Sequence, residues 1–362
     1  MMPSIRESLL YLIFLNLVYI TFVPGCVFAP RVIQIPTTSD LVRPNVNLTS
    51  DYPQMLAAVT SVMWGDLKLP PAEGVVTFYF NGAALESGLL AEYEKEVPEF
   101  EKQLFGIQAK EAFRAKLLAT VIEDFDKRIE KESEKVKEAA RAELLSEFDK
   151  RFEKEFGAAR EAFYAKNNNQ AISLMAREKA TTAVAVGMHK RILVNQTAFF
   201  RYPWSERMRV LAHELTHTVQ NAAAGGRRMS ADLWLLEGFA EWVAFKVLDT
   251  LNIESSANGR ERTINAVAIA RQYQTFPGLS QLVMAPQWQS WARNLGREAT
   301  YNQAYLAVDF LIEQKGFPAM VEYFQLYGRS NNREENFTIA FGEPVSVFEE
   351  KFSKHLQSLL GK

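Results

Sequence analysis

The chain has 362 residues, of which 48% are hydrophobic and 23% charged, and its formal net charge is −2. This composition is typical of a globular protein and excludes a wholly disordered chain, a collagen-like chain and a multi-span membrane protein. At about 150 residues per domain, the length allows about two domains, or one domain with a large insertion. The balanced charge provides no basic surface for phosphate backbones, so nucleic acid is not expected as a partner.

The N-terminal residues have the pattern of an export signal. Arg6 precedes an uncharged, mostly apolar run at Leu9–Val23, and the only cysteine of the chain, Cys26, follows Pro24 and Gly25. A membrane-spanning helix needs about 20 apolar residues, and this run is shorter. Residues 1–25 are therefore predicted to be a signal peptide. Plain secretion and an uncleaved anchor remain alternatives.

The sequence Val-Pro-Gly-Cys resembles a bacterial lipobox, in which the cysteine is lipidated and becomes the mature N-terminus. Pro24 departs from the small or hydroxylated residue usual at that position. The resemblance implies a lipid anchor on Cys26 and therefore a membrane partner. It places the protein in the bacterial cell envelope, on the periplasmic or the cell-surface face.

Residues 26–53 are predicted to form a tether. The stretch from Arg31 to Pro53 is rich in Pro, Thr, Ser and Asn and has little periodicity, so no packing is expected there. Residues 54–105 are predicted to be an N-terminal α/β segment. Within it, Gly74–Phe80 is β-branched and aromatic, and Asn81-Gly82 follows, which predicts a strand that ends in a turn.

Residues 106–166 are predicted to be a long helical insertion. The segment between Gly106 and Gly157 contains neither glycine nor proline and is dense in Ala, Leu, Glu, Lys and Arg, which favour helix. A polar interruption at Glu130–Glu134 allows either one long helix or a hairpin of two shorter ones. Its charges are most simply a solvated face, and a partner-binding or membrane-spacing arm is the alternative.

Residues 167–362 are predicted to form one domain. Two short β-rich stretches, Thr181–Val186 and Arg191–Phe200, precede a region beyond Trp204 that is predominantly helical. This order predicts an α+β fold with a small mixed sheet, a helical C-terminal half and the long helical insertion. The stretch Arg191–Phe200 is a candidate edge strand on which an extended peptide could pair, or else an internal strand.

A metal-binding pattern lies in the segment RMRVLAHELTHTVQN. His213 and His217 are four positions apart, so on a helix both imidazoles leave the same face and can bind one zinc ion. Glu214 lies between them and is placed to act as a general base towards a water molecule at the metal. Ser205 is the predicted N-cap and Gly225-Gly226 the C-terminal stop. The apolar positions of this helix are Met208, Leu211, Ala212, Leu215 and Val219.

A second helical pattern downstream, ADLWLLEGFAEWVAFKVL, provides candidate carboxylates. Glu237 and Glu241 lie one turn apart on one face. Glu237 would complete a set of two histidines and one glutamate around a single Zn²⁺ and leave the fourth position open, as a catalytic zinc site requires. Glu241 is placed to accept the other N–H of a ligand histidine and to fix its tautomer. Both are alternatively ordinary surface glutamates.

The motif HELTH followed by EGFAE is similar to those of the gluzincins, the zinc-peptidase group that contains thermolysin and the aminopeptidase N family. The C-terminal segment resembles the last helices of peptidase-MA-like bacterial proteins. The resemblance implies that residues 167–362 are a zinc metallopeptidase domain and that residues 54–105 are the N-terminal α/β segment of this catalytic domain. The resemblance implies that His213, His217 and Glu237 are metal ligands, that Glu214 is the general base and that Glu241 supports a ligand. A metzincin pattern would need glycine and histidine at positions where this chain has Gln220 and Ala223.

The segment Tyr301–Leu311, YNQAYLAVDFL, resembles the helix that supplies the catalytic tyrosine of the aminopeptidase N family. The resemblance implies that Tyr301 donates a hydrogen bond to the oxyanion of the tetrahedral intermediate, with Tyr305 as the substitute. Packing at the start of an amphipathic helix is the alternative role for Tyr301. The chain lacks the Gly-x-Met-Glu-Asn stretch with which that family holds a free amino terminus; the nearest match, Val186–Lys190, has no glutamate. An exopeptidase is therefore not supported.

These patterns lead to a zinc-dependent endopeptidase of the cell envelope that hydrolyses peptides or unfolded protein. The alternative is a catalytically idle binding or scaffold lipoprotein that keeps a zinc-peptidase fold while its helical arm binds a protein partner. An intact Glu214 favours the enzyme, because a purely structural zinc site needs no general base. A secreted coiled-coil protein without metal is the third hypothesis.

Overall fold

The computed structural model describes residues 30–36, 52–128, 134–166, 168–188, 190–226, 229 and 231–361. The predicted signal peptide and Cys26 lie outside the described residues, as does much of the predicted tether. Among the helices described, none is both long enough and apolar enough to cross a membrane.

A four-stranded sheet organises the N-terminal half. Its strands are β1 (Arg31–Gln34), β2 (Val75–Tyr79), β3 (Ala185–Met188) and β4 (Arg191–Asn195), in the spatial order β1-β2-β4-β3. Strands β2 and β4 are parallel, whereas β1 with β2 and β3 with β4 are antiparallel. The sheet is thus small and mixed and the rest of the described chain is mostly helical, which confirms the predicted α+β class.

The prediction of an unpacked tether is wrong for residues 31–36. Strand β1 pairs with β2 along its whole length, and Ile35 is only 4% exposed. The indole N–H of Trp64 donates a hydrogen bond of 2.9 Å to the carbonyl of Pro36. A short β-branched run inside a Pro- and Thr-rich stretch is therefore sufficient to add a strand at the edge of the sheet.

The helices of the N-terminal half are α1 (Tyr52–Thr60), which continues into a π-helical segment (Ser61–Asp66), α2 (Gly82–Phe105), α3 (Ile107–Arg128), α4 (Glu134–Lys166) and α5 (Asn169–Thr182). The chain segment from α2 to β3 connects the parallel strands β2 and β4. The predicted helical insertion therefore lies within a crossover connection of the sheet.

Helices α3 and α4 form an antiparallel hairpin rather than one rod. Ion pairs join the two helices at Lys110 with Glu153 (2.7 Å), Arg114 with Asp149 (2.5 Å) and Asp126 with Arg141 (2.6 Å). Exposed pairs of this kind contribute about 0–1 kcal/mol each, so they mainly set the register. Phe148 and Phe152 of α4 are buried, and their burial is the larger stabilising contribution.

The second predicted β-rich stretch is shorter than expected and is internal. Strand β4 ends at Asn195, whose side chain accepts a hydrogen bond from the N–H of Ala198 and caps the short helix α6 (Gln196–Phe199). A local cap of this kind competes with continuation of a strand. Because β4 lies between β2 and β3, the edge-strand alternative for Arg191–Phe200 is wrong. The two edge strands of the sheet are β1 and β3.

The C-terminal half consists of helices, as the sequence predicts. They are α7 (Trp204–Ala223), α8 (Leu233–Thr250), α9 (Ser256–Tyr273), α10 (Ala285–Leu295), α11 (Arg297–Lys315), α12 (Phe317–Leu326), α13 (Arg333–Phe341) and α14 (Val345–Leu360). Helix α8 packs against both α7 and α11 and is buried around most of its circumference. A central helix of this kind is apolar on all sides.

The alternation of side chains along β4 joins the sheet to both of its neighbours. Ile192 and Val194 belong to the large core shared with α7 and α8. Leu193, which points to the opposite face, packs with Leu85 and Leu89 in a smaller core between the sheet and the helices α2 and α5. Helix α7 thus packs on one face of the sheet, and α2 and α5, which flank the predicted insertion, pack on the other.

Candidate metal centre

Helix α7 carries the HELTH motif and is fixed by its apolar face. Its five predicted apolar positions are all at most 3% exposed. The helix begins at Trp204, and its N-cap position is occupied by Pro203, which makes no side-chain cap. The prediction of Ser205 as the N-cap is therefore wrong. The predicted stop is confirmed, because Gly225 and Gly226 follow the helix with φ of +66° and +73°, a conformation that glycine adopts without strain.

Three donor atoms from α7 and α8 converge. The Nε2 atoms of His213 and His217 are 3.2 Å apart, and the Oε2 atom of Glu237 lies 3.2 Å from the first and 3.5 Å from the second. Among the described residues, these three form a group whose potential ligand atoms all lie within 4.8 Å of one another. The structure thus brings together the three residues that the sequence predicts as ligands.

The donor set fits a zinc ion. Two imidazole nitrogens and one carboxylate oxygen are ligand types that zinc takes in catalytic sites. The Oε2 atom of Glu237 is buried and has no hydrogen-bond partner of regular geometry. Such an atom is costly in a folded protein unless a charge or a metal compensates it.

Glu241 lies behind His213. Its Oε1 atom is 3.1 Å from Nδ1 of His213, and its Oε2 atom accepts a short hydrogen bond from the guanidinium of Arg209. Arg209 also pairs with Glu206 at 2.9 Å. Burial opposes ionisation of Glu241, but Arg209 and His213 outweigh it and lower the pKa of Glu241 to about 2. The predicted supporting position of Glu241 agrees with this geometry, whereas Arg209 was not predicted.

His217 is held differently. Its Nδ1 atom lies 2.8 Å from Oε1 of Gln220, and Nε2 of Gln220 donates a hydrogen bond of 2.9 Å to the backbone carbonyl of Leu236. Gln220 is only 1% exposed. Sequence reasoning missed this residue as a partner of a ligand. Its spacing of three positions after His217 on a helix was the only available signal.

Glu214 lies against the edge strand β3. The backbone N–H of Gly187 in β3 donates a short hydrogen bond to Oε2 of Glu214. A Cβ atom at position 187 would lie 2.9 Å from that oxygen and 3.2 Å from Cβ of His217. A larger residue at position 187 would therefore displace the Glu214 carboxylate and crowd His217.

Tyr301, near the start of α11, lies beside the site. Its ring centroid is 6.1 Å from that of His213, and its hydroxyl accepts a hydrogen bond of 3.3 Å from Arg297. Burial raises the pKa of the Tyr301 phenol above its ordinary value, although Arg297 lowers it. Tyr305, the predicted substitute, packs edge-on against Phe245 at a centroid distance of 4.9 Å. Of the two tyrosines, Tyr301 lines the same cleft as His213 and Glu214.

The cleft has a volume of about 660 Å³ and opens between β3, α7, α9 and α11. It contains His213, Glu214, Glu241 and Tyr301 from the predicted set. Further lining residues include Val184, Ala185, Arg209, Arg262 and Arg297. Trp234 and Phe239, neighbours of Glu237 on α8, are part of the core, where Trp234 stacks on Phe348 and Phe239 packs at a tilt against Phe324.

Comparison with known protein families gives one match. A family model described as an eCIS core domain matches residues 139–225. That range contains most of α4, the strands β3 and β4 and the whole of helix α7, and it ends before Glu237 and Tyr301. No curated protein and no solved structure matches the chain.

Proposed function

We propose that this protein is a zinc-dependent peptidase of the gluzincin type that cleaves internal peptide bonds. The observation that carries the proposal is the convergence of His213 Nε2, His217 Nε2 and Glu237 Oε2. His213 also lines a cleft, together with Glu214 and Tyr301. A bound Zn²⁺ would supply the Lewis acidity that polarises the scissile carbonyl and makes water acidic enough to react at neutral pH.

In this proposal Glu214 is the general base. Its carboxylate takes a proton from the attacking water and delivers it to the leaving amine. The hydrogen bond from the Gly187 N–H to Oε2 orients the carboxylate within the cleft. Because the orienting group belongs to the backbone of the sheet, Glu214 does not depend on a second flexible side chain for its position.

Tyr301 donates the hydrogen bond that stabilises the oxyanion. An arginine can only donate, so the phenol oxygen accepts from Arg297 and the phenol proton is directed elsewhere. Burial keeps the phenol protonated, since it raises the pKa of Tyr301. A donor of this kind is worth about 2.7–4 kcal/mol of transition-state stabilisation.

The substrate is an extended polypeptide. The cleft of about 660 Å³ is bordered by Val184 and Ala185, next to and within the edge strand β3. A sheet edge offers backbone hydrogen bonds to an extended chain with broad tolerance of side chains. The missing Gly-x-Met-Glu-Asn stretch supports cleavage of internal bonds rather than removal of N-terminal residues.

Export and lipidation at Cys26 complete the proposal. They rest on the apolar run at Leu9–Val23 and on the lipobox-like sequence that follows it. Palmitate labelling of the wild type in a bacterial host, with no labelling of Cys26→Ala, is the expected result. Equal labelling of both would contradict the lipid anchor without bearing on the peptidase.

The decisive test compares the wild type with Glu214→Gln for zinc content and for casein cleavage. We expect both proteins to bind zinc, because Glu214 is not one of the three converging residues. Cleavage should fall by at least about 100-fold in the variant, because general acid–base catalysis typically contributes 10²–10⁴-fold. Equal zinc binding with identical or absent cleavage in both proteins would favour the scaffold alternative.

A further inference from the structure

We propose that Gln220 is a positioning residue for the second histidine: it fixes the tautomer and ring orientation of His217 and couples them to the helix that carries Glu237. The inference rests on the metal site proposed above and adds a residue to it. It follows from the direction of two hydrogen bonds that share one buried amide.

The direction of each hydrogen bond is set by the backbone. The carbonyl of Leu236 can only accept, so the amide nitrogen of Gln220 must face it, at 2.9 Å. The amide oxygen of Gln220 is then the atom that faces Nδ1 of His217, at 2.8 Å. A carbonyl oxygen accepts but does not donate, so Nδ1 must carry the proton. Nε2 of His217 is thereby left with the lone pair that a metal needs.

The burial of Gln220 supports this role over a merely local contact. The residue is 1% exposed, and a buried amide is costly unless its polar atoms are bonded. Both bonds of Gln220 end at the site: one on a ligand, and the other on the residue directly before Glu237. A single side chain from α7 therefore holds His217 in register with the third ligand on α8.

The two histidines thus have unlike supports. His213 faces the carboxylate of Glu241, which is ionised and paired with Arg209. His217 faces a neutral amide. Replacing the amide removes an orienting hydrogen bond without changing the charge of the site, so its effect on metal affinity reports on orientation.

The test measures zinc affinity by competition with a chelator in wild type, Gln220→Met and Gln303→Met. Gln303 is a matched control: it is 2% exposed and its amide donates a hydrogen bond of 2.7 Å to the carbonyl of Pro277, away from the proposed ligands in the chain. Loss of an outer-shell partner typically costs 10–100-fold in metal affinity, so we expect about that loss for Gln220→Met. Gln303→Met should retain wild-type affinity even where its thermal stability falls.

Gln220→Glu separates the two hydrogen bonds. A carboxylate still accepts from Nδ1 of His217 but cannot donate to Leu236, so this variant should lose stability while binding zinc more tightly than Gln220→Met. An independent readout is the long-range ¹H–¹⁵N NMR spectrum of the zinc-loaded wild type, in which His217 should be protonated at Nδ1.

The proposal is overturned by wild-type zinc affinity in Gln220→Met, by an equal loss in Gln303→Met, or by a proton on Nε2 of His217. These results are distinct from a failure of the proposed function. Absence of stoichiometric zinc from the wild type would count against the metal site itself, before any variant is compared.

Discussion

At the scale of single residues, each catalytic candidate is oriented by a group outside the predicted set. Glu214 is bound by the backbone of Gly187, and Tyr301 by the guanidinium of Arg297. In the proposed mechanism, the Gly187 N–H fixes the position of the Glu214 carboxylate, which accepts a proton. Arg297 fixes the position of the Tyr301 hydroxyl, which donates a hydrogen bond. Removal of a catalytic group and displacement of it are therefore separate experiments.

Tyr301→Phe should lower kcat about 10²- to 10³-fold and leave KM nearly unchanged, because it removes a donor used only in the transition state. The ring and its edge-on contact with Trp288 remain. Tyr305→Phe is the matched control, since Tyr305 packs against Phe245 and does not line the cleft. Equal losses of kcat in the two variants, measured on one peptide substrate, would contradict the assigned role of Tyr301.

Gly187→Ala should lower kcat/KM about 10- to 100-fold, since the new methyl group displaces the carboxylate of Glu214 and misplacement by about 1 Å can cost 10²-fold. Val186→Ala is the control on the same strand, because Val186 packs in the smaller core instead. Steady-state kinetics of the two variants provides the comparison. Wild-type kinetics for Gly187→Ala would mean that the contact between β3 and Glu214 is not functional.

The sequence predicted the residues whose relation is local and missed those that meet only in three dimensions. His213, Glu214 and His217 follow from the helical repeat alone, and Glu237 from an apolar helix downstream together with the family resemblance. The hydrogen bonds of Arg209 with Glu241 and of Gln220 with Leu236 depend on how α8 packs against α7. The hydrogen bond of Gly187 with Glu214 depends on how β3 packs against α7. No periodicity in the sequence encodes those packings.

At the scale of elements, the site depends on the close approach of helix α8 to α11. A Cβ atom at Gly238, directly after the proposed ligand Glu237, would collide with the backbone carbonyl of Ala304 in α11. Backbone cannot move aside as a flexible side chain can. Gly238 thus allows the helix that carries Glu237 to pack against the helix that carries Tyr301.

Gly238→Ala should destabilise the protein by about 1–3 kcal/mol, the usual range for overpacking a core. Gly157→Ala is the matched control, because nothing lies within 4 Å of a Cβ atom at that position of α4. There the substitution should stabilise by about 0.5–1 kcal/mol, the helix-propensity difference. Denaturant unfolding measures both, and a destabilisation of equal size in the two variants would contradict the packing argument.

The elements themselves could be predicted from the sequence to different degrees. Helix α7 was predictable because its apolar repeat and glycine stop are local, whereas its first residue was misplaced because Pro203 precedes the helix in place of a polar cap. Strand β1 was missed because its pairing with β2 joins segments far apart in the chain. Strand β4 was predicted too long because Asn195 diverts the chain into a helix.

At the scale of the whole molecule, the two helices that flank the insertion, α2 and α5, pack on the face of the sheet opposite to α7. The insertion enters the fold between the parallel strands β2 and β4, and its hairpin is joined by ion pairs between its own helices. The arm therefore has internal contacts that do not involve His213, His217 or Glu237. Its role as a solvated arm or as a partner-binding surface remains a prediction from its charge pattern.

The proposed zinc site is tested most directly by the zinc stoichiometry of the purified full chain, compared with the stoichiometries of His217→Ala and Glu237→Ala. We predict one zinc ion per wild-type chain, a higher Tm with zinc than without it, and strongly reduced zinc in both variants, because each supplies one of three converging donor atoms. A wild type that binds no zinc, or variants that bind it as tightly as the wild type, would contradict the account.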